Sequence, residues 1–252
     1  MLPITFLSDY GHEDEFVGVC HGVIQRIAPG ATVIDISHGL PRQDVRTAAL
    51  TLRNALPFMP KGIHLAVVDP EVGTSRRPLA VSAHDGHLFV GPDNGVFTPV
   101  LKDAEVEMVV LPTPASASPT FHGRDLFAPA AAALAVGVPL ATLGDPFQGI
   151  PERLAYTAPH YEGKTVVGEV IYIDRFGSLV TNLTTELVPN YATLEVEDLD
   201  LGPVRQTFSD VTAGGLLAYV VSGGAIEIAV RNGSAARRLG VGVGGRVRAR
   251  LG

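Results

Sequence analysis

Ile63-His-Leu-Ala-Val-Val-Asp69-Pro-Glu-Val-Gly-Thr-Ser-Arg76-Arg77 is the stretch whose reading decides the fold. The apolar run 63–68 has the length of a strand and stops abruptly at Asp69. Pro70 then has no N–H to give a continuing ladder. The stretch implies a buried parallel strand that delivers a carboxylate at its carboxyl end, and a turn through Gly73 that brings two arginines back. Ligands of open α/β sheets bind at that end of the strands. Asp69 with Arg76 or Arg77 is therefore a candidate polar site. An Asp-Pro turn with solvated arginines is the plainer reading of the same residues.

Upstream, residues 4–7 are a short apolar run closed by Ser8-Asp9-Tyr10-Gly11. Residues 14–27 carry Phe16, Val19, Val23 and Ile27 at helical spacing, and Pro29-Gly30 ends the pattern. A second strand pattern, 32–37, exits at His38. Asp44 has the character of an N-cap for a helix through Ala48, Leu52 and Ala55. Strand, helix, strand, helix, strand is the rhythm of a parallel sheet. Residues 1–155 are thus expected to form a Rossmann-like α/β domain with a mostly parallel sheet.

Downstream, 79–82 and 87–90 read as a hairpin across Asp85-Gly86. Gly91-Pro-Asp-Asn-Gly95 is a dense turn signal ahead of a short helix, 96–101, and 107–111 is another strand. After a loop at 113–119, Phe121-His-Gly-Arg-Asp125 leads into an alanine-rich helix, 126–136. The stretch 148–163, with two prolines and little periodicity, marks a domain boundary. Beyond it, 165–173, 178–183, 191–196, 216–221, 226–230 and 246–251 are all strand-like, and 184–189 is the helix-like patch. Residues 163–252 are expected to be a small all-β barrel.

At 252 residues, 46% hydrophobic and 18% charged, the chain is long and apolar enough to bury real cores. A net charge of -7 argues against nucleic-acid binding. No run approaches a membrane span and no signal-like segment opens the chain, so a cytoplasmic protein is expected. The single cysteine, Cys20, excludes an internal disulfide framework and a thiolate-rich metal site. It sits in a buried-helix pattern, where free cysteine is commonly a small core residue.

Three loops fall on the carboxyl side of the expected sheet: Ser8-Asp9 with Asp14, 69–77, and 121–125. They offer carboxylates, a guanidinium and an imidazole. A carboxylate beside an arginine is held ionised and oriented, and a histidine nearby can hold or move a proton near neutral pH. His122 also fits an ordinary loop or capping role. His38, His64, His84 and His87 lack metal-ligand spacing such as H-E-x-x-H, there is no P-loop and no G-x-S-x-G elbow, and no G-x-G-x-x-G follows a strand. No metal and no cofactor are expected.

Taken in order, Thr5-Phe-Leu-Ser-Asp9-Tyr-Gly, Val33-Ile-Asp-Ile-Ser-His38, Val68-Asp-Pro-Glu-Val-Gly-Thr-Ser-Arg76-Arg77, Gly91-Pro-Asp-Asn-Gly, Thr120-Phe-His-Gly-Arg-Asp-Leu-Phe-Ala-Pro-Ala, Tyr172-Ile-Asp-Arg-Phe-Gly and Ala229-Val-Arg-Asn-Gly resemble the adenosine-forming S-adenosyl-L-methionine (SAM) hydroxide adenosyltransferase family, relatives of fluorinase and chlorinase. The resemblance runs from residue 4 to about residue 236.

It implies an enzyme that hydrolyses SAM at the ribose C5′ to adenosine and L-methionine. By the same resemblance Asp69, Arg76 and His122 position and activate water, with Arg77 the adjacent alternative, and Asp9 takes the ribose diol. Asp14 and Asp174 match positions around the methionine ammonium, and Ser222 one near its carboxylate. Phe176, Ser178, Asn182, Glu227, Val230 and Arg231 match adenine or methionine contacts. The family places its site between the N-terminal domain of one subunit and the C-terminal domain of the next, in a homotrimer. Ser178 stands where the family commonly has asparagine, and Gly223-Gly224-Ala225 replaces a bulkier stretch. Asp69 stands where fluorinases carry tyrosine, and the insertion that marks fluorinases is missing; both imply water over halide. The alternatives are a non-catalytic adenosine or SAM binding module, and a chlorinase-like halogenase.

Overall fold

The computed structural model describes residues 1–101, 105–221 and 223–252. The chain opens on strand–helix alternation: β1 (Ile4–Ser8), α1 (Phe16–Ile27), β2 (Val33–Ser37), α2 (Val45–Ala55) and β3 (Ile63–Val67). Asp44 caps α2 as its position implies, its Oδ1 accepting Thr47 N–H at 2.9 Å. β4 (Pro78–Ala83), β5 (Leu88–Pro92), β6 (Val106–Val110), α3 (Ala128–Ala135) and β7 (Asp145–Pro146) complete the unit Met1–Leu154.

The strands lie in the order β2-β1-β3-β5-β4-β6-β7. β1 runs parallel to β2 and β3, and β3 parallel to β5. β4 is antiparallel to β5 and β6, and β6 to β7. The sheet is therefore mixed, which corrects the mostly parallel sheet expected from the sequence. The reason is the tight reversal at Asp85-Gly86: a loop that short can join only antiparallel neighbours, whereas a parallel pair needs a crossover.

Alternation along the strands divides the core between the two faces of this sheet. Ile4, Phe6, Ile63, Leu65 and Val67 bury against α1 and α3, with Phe127 and Ala131. Leu7, Ala66, Val68 and Phe89 bury on the other face with Ala48 and Leu52 of α2. Fully burying a side chain such as Phe6 contributes roughly 1.5–3 kcal/mol. The same parity places Asp69 on the Val67 face, toward the start of α3.

Two helices depart from expectation. Residues 96–101 form turns, with Thr98 N–H bonded to Gly95 O and Val100 N–H to Phe97 O, because Pro99 has no N–H for a helical ladder. The alanine-rich helix starts at Ala128 and is preceded by a π-helical turn, Gly123–Phe127.

The second unit, Ala155–Gly252, contains β8 (His160–Glu162), β9 (Thr165–Ile173), β10 (Leu179–Thr184), β11 (Thr193–Val196), β12 (Leu199–Pro203), β13 (Leu216–Val220), β14 (Ala225–Val230), α4 (Ala235–Leu239) and β15 (Arg246–Arg250). The sheet order is β12-β11-β15-β9-β10-β14-β13, with β8 on β9. A bridge between Arg205 and Tyr219 joins the segment after β12 to β13, so the sheet nearly closes on itself. Val166, Leu179, Leu183, Leu194, Ile226, Ile228 and Val247 fill its interior. The helix-like patch 184–189 is the end of β10 at Thr184 followed by a turn over 185–187. Among the described residues the α-helix of this unit is α4, capped by Ser234 and ended at Gly240 with φ +65°; five residues are too few to show a helical period. Among the described residues, no helix is long and apolar enough to cross a membrane.

Candidate active site

Asp69 is the residue that strand β3 delivers. Asn94 fixes the strand end by donating its Nδ2–H to Val68 O at 2.8 Å. Past Pro70 the chain turns through Gly73, which has φ +79°. A Cβ on Gly73 would lie 2.4 Å from Pro119 O, so glycine is required both for the turn and for the approach of the 113–119 loop.

The turn returns Arg76 to Asp69. Arg76 Nε donates to both carboxylate oxygens at 3.0 Å, and Nη2 donates to Oδ2. The same Nη2 lies 2.8 Å from His122 Nδ1. The Arg76 and Asp69 side chains are only 4% and 6% exposed, His122 is buried, and Phe127 lies 5.2 Å from the guanidinium. A guanidinium has no acceptor, so His122 Nδ1 must accept and the ring proton sits on Nε2. Burial, and then the Arg76 charge, lower the His122 pKa from its ordinary value. The histidine is thus neutral near pH 7 and offers an Nε2–H.

Arg77 goes elsewhere. It pairs with buried Asp93, donates to Ile150 O at 3.0 Å and covers the Phe147 ring at 4.5 Å. Asp93 Oδ1 also accepts Glu152 N–H at 2.8 Å. Arg77 therefore holds the 147–152 segment, and Arg76 is the arginine beside Asp69 and His122.

Around the exit of β1, Asp9 is half-buried and its Oδ2 accepts Gln43 N–H at 2.7 Å. Asp14 is exposed. Between them Tyr10 lies edge-on to Phe121 at 5.8 Å, with Phe16 at 5.9 Å. Its hydroxyl sits against Gly123, where a Cβ would be 2.0 Å away. Burial, followed by the charges of Cys20, Asp9 and Asp69, raises the Tyr10 pKa well above its ordinary value, so the phenol keeps its proton. Sequence reasoning did not single out Tyr10. The glycine between His122 and Arg124 was the one local sign that something approaches there. Burial pushes the Cys20 thiol up to about 12, which leaves it an inert core residue.

The ligand-capable atoms of His21, Asp35 and His38 lie within 4.8 Å of one another. Asp35 Oδ1 is 2.9 Å from His21 Nε2 and 3.1 Å from His38 Nε2. The His21–Asp35 contact is a hydrogen bond, whereas His38 Nε2 lies within ion-pair range of Asp35 without an aligned hydrogen bond.

In the second unit, Asp174 Oδ1 accepts the N–H of Phe176 at 2.9 Å and of Ser178 at 2.7 Å. This Asx turn buries Ser178 and leaves Phe176 78% exposed. Asn182 spends its amide on Glu169 N–H and Thr157 O. Glu227 is buried, accepts Tyr219 Oη–H at 2.7 Å, and has a pKa raised by that burial. Val230 is buried, and Arg231 donates to Val211 O at 2.7 Å. Ser222 lies outside the described residues.

An α/β unit with a carboxylate–guanidinium–imidazole trio at its strand ends, followed by a nearly closed β unit, defines a two-domain chain with an enzyme-like polar site. The SAM hydroxide adenosyltransferase N-terminal domain model matches residues 4–144, and the C-terminal domain model matches residues 168–248. The chain belongs to the SAM hydroxide adenosyltransferase family. It is similar to the (R)-S-adenosyl-L-methionine hydrolase of Thermus thermophilus, at 44% identity over 96% of each chain. The relative of the same name from Salinispora tropica is 42% identical over 99% of this chain and 98% of its own length. A fluorinase of Actinoplanes sp. is 28% identical over 71% of each chain. Among solved structures, an uncharacterized conserved protein from Thermotoga maritima superposes with a TM-score of 0.89 at 37% identity, covering 98% of this chain and 99% of that one.

Proposed function

We propose that this chain hydrolyses SAM at the ribose C5′, giving adenosine and L-methionine. The observation that carries the reading is the Asp69–Arg76–His122 trio: a buried ion pair joined to a neutral imidazole by a single Arg76 nitrogen. The sulfonium is already a good leaving group, so no acid is needed at sulfur. What the site must supply is a water or hydroxide held in line behind C5′ and partly stripped of solvent. In this reading His122 Nε2–H and the Arg76 guanidinium hold that oxygen, and Asp69 fixes the guanidinium. The C5′–O bond forms as C5′–S breaks, and the electron pair leaves with sulfur as the neutral thioether. With water as nucleophile, one proton is released per turnover.

Asp9 serves the ribose diol. Asp14, Asp174 and Ser222 serve the methionine end, and Phe176, Ser178, Glu227, Val230 and Arg231 the adenine and its surroundings. Asn182 acts through backbone order, since its amide is already engaged. The reading extends to a homotrimer working in the cytoplasm, which rests on the family resemblance; sedimentation velocity at micromolar concentration tests the assembly.

Liquid chromatography of SAM incubated with purified protein tests the activity. Both sulfonium epimers belong in that assay, since the relatives' name specifies (R). Adenosine and methionine in equal amounts are expected. Tight SAM binding without product would favour a binding module and sink the hydrolase reading.

A further inference from the structure

Two polar residues outside the trio are fully buried beside the candidate site: Ser8 at the end of β1 and His38 just past β2. Ser8 Oγ is 2.7 Å from His38 Nδ1 and accepts Tyr10 N–H at 3.3 Å. The His38 carbonyl accepts Gly11 N–H at 2.8 Å. On the other side of the ring, Asp35 is the polar group beside an otherwise unpartnered, buried Nε2. Phe6 closes the imidazole from its edge at 4.6 Å.

The proton positions follow from what each group can do. A carboxylate only accepts, so His38 carries its proton on Nε2, facing Asp35. Nδ1 is then a lone pair, and Ser8 must donate its hydroxyl proton to it. That leaves the oxygen of Ser8 to accept Tyr10 N–H. The side-chain relay ends on the amide of Tyr10, next to Asp9, and the His38 carbonyl holds the amide of Gly11 one residue further on. Asp9 itself is tied by Gln43 N–H, and Gln43 holds the left-handed conformation, φ +63°.

We propose that Asp35, His38 and Ser8 form a positioning relay that sets Asp9 for the 2′- and 3′-hydroxyls of the substrate ribose. The proposal rests on the reading of Asp9 as the ribose carboxylate. The relay residues touch no substrate. They act through the loop, and the distinction they enforce is between a ribose and a 2′-deoxyribose.

Inhibition of SAM turnover by adenosine and by 2′-deoxyadenosine measures this directly. Wild-type protein is expected to bind adenosine more tightly than the deoxy compound. Ser8→Ala is expected to weaken adenosine about tenfold, the worth of one well-placed hydrogen bond, while 2′-deoxyadenosine moves less than about twofold and KM rises more than kcat falls. Ser8→Thr, which keeps a hydroxyl, restores discrimination. Asp35→Ala, at a partly exposed position less prone to unfold the chain, shifts adenosine in the same direction.

Equal weakening of both nucleosides by Ser8→Ala and Asp35→Ala would overturn the relay, because a general structural loss does not read the 2′-hydroxyl. Asp9→Ala separates the two levels. If Asp9→Ala keeps discrimination, the ribose reading of Asp9 is wrong and the relay falls with it. If Asp9→Ala loses discrimination while Ser8→Ala and Asp35→Ala keep it, only the relay is overturned.

Discussion

Replacing Arg76 and Arg77 one at a time separates two arginines that are adjacent in the chain and different in the structure. Arg76 makes three contacts to Asp69 and one to His122 from two nitrogens. Lysine keeps the charge, so Asp69 is not left as an uncompensated buried ion, but a single ammonium cannot reproduce the fork. Arg76→Lys therefore loses at least two charge-assisted hydrogen bonds, each worth roughly 1.5–3 kcal/mol. If about 3 kcal/mol of that is felt in the transition state, kcat falls roughly two orders of magnitude. Arg77→Lys instead loosens Asp93, Ile150 O and the Phe147 ring. It should lower the melting temperature and leave kcat within about threefold, as expected for a change away from the reacting atoms. Adenosine formation by chromatography and a calorimetric melt read the two effects. A large kcat loss in Arg77→Lys with little in Arg76→Lys would refute the reasoning.

Three further outcomes are expected. His122 has a lowered pKa, so its neutral form persists below the ordinary value near 6.5. Turnover should stay flat from neutral pH down through that value and fall only at lower pH, and His122→Gln should lose this acid limb; a profile breaking at or above 6.5 would contradict the assignment. Burial and then the neighbouring His87 push His64 down to about 4, so below about 6.5 the unfolded chain binds the proton more readily than the folded one. Urea-unfolding stability should therefore drop as pH falls from 6.5 toward 4, and that drop should be smaller in His64→Gln. Gly123→Ala sets a Cβ against the Tyr10 hydroxyl and should destabilise by about 1–3 kcal/mol. Tyr10→Phe should recover part of this in the double variant, read by chemical denaturation; a Gly123→Ala protein as stable as wild type would discount the contact.

The apolar runs made the first three strands, α1 and α2 legible, because residues 4–68 alternate apolar segments with clear stops. The hairpin was equally legible in Asp85-Gly86. So short a reversal makes β4 and β5 antiparallel, and the sheet is mixed. The π-helical turn at Gly123–Phe127 carries no periodic signature of its own. Local pattern could not choose between Arg76 and Arg77, since the choice depends on Asp93 and Phe147 from other parts of the chain. Tyr10 against Gly123, and Ser8 against His38, are long-range contacts invisible to any window of sequence. Asp69, Asp9 and His122 were found because each ends or begins an element, where the fold concentrates its polar loops.

Hydrolysis at C5′ by solvent oxygen is tested most directly by running the reaction in 18O-labelled water with chloride present. Adenosine carrying one heavy oxygen at the 5′ position, with methionine released in equal amount, is the expected result. A 5′-chloro nucleoside, or SAM recovered unchanged at high protein concentration, would contradict it.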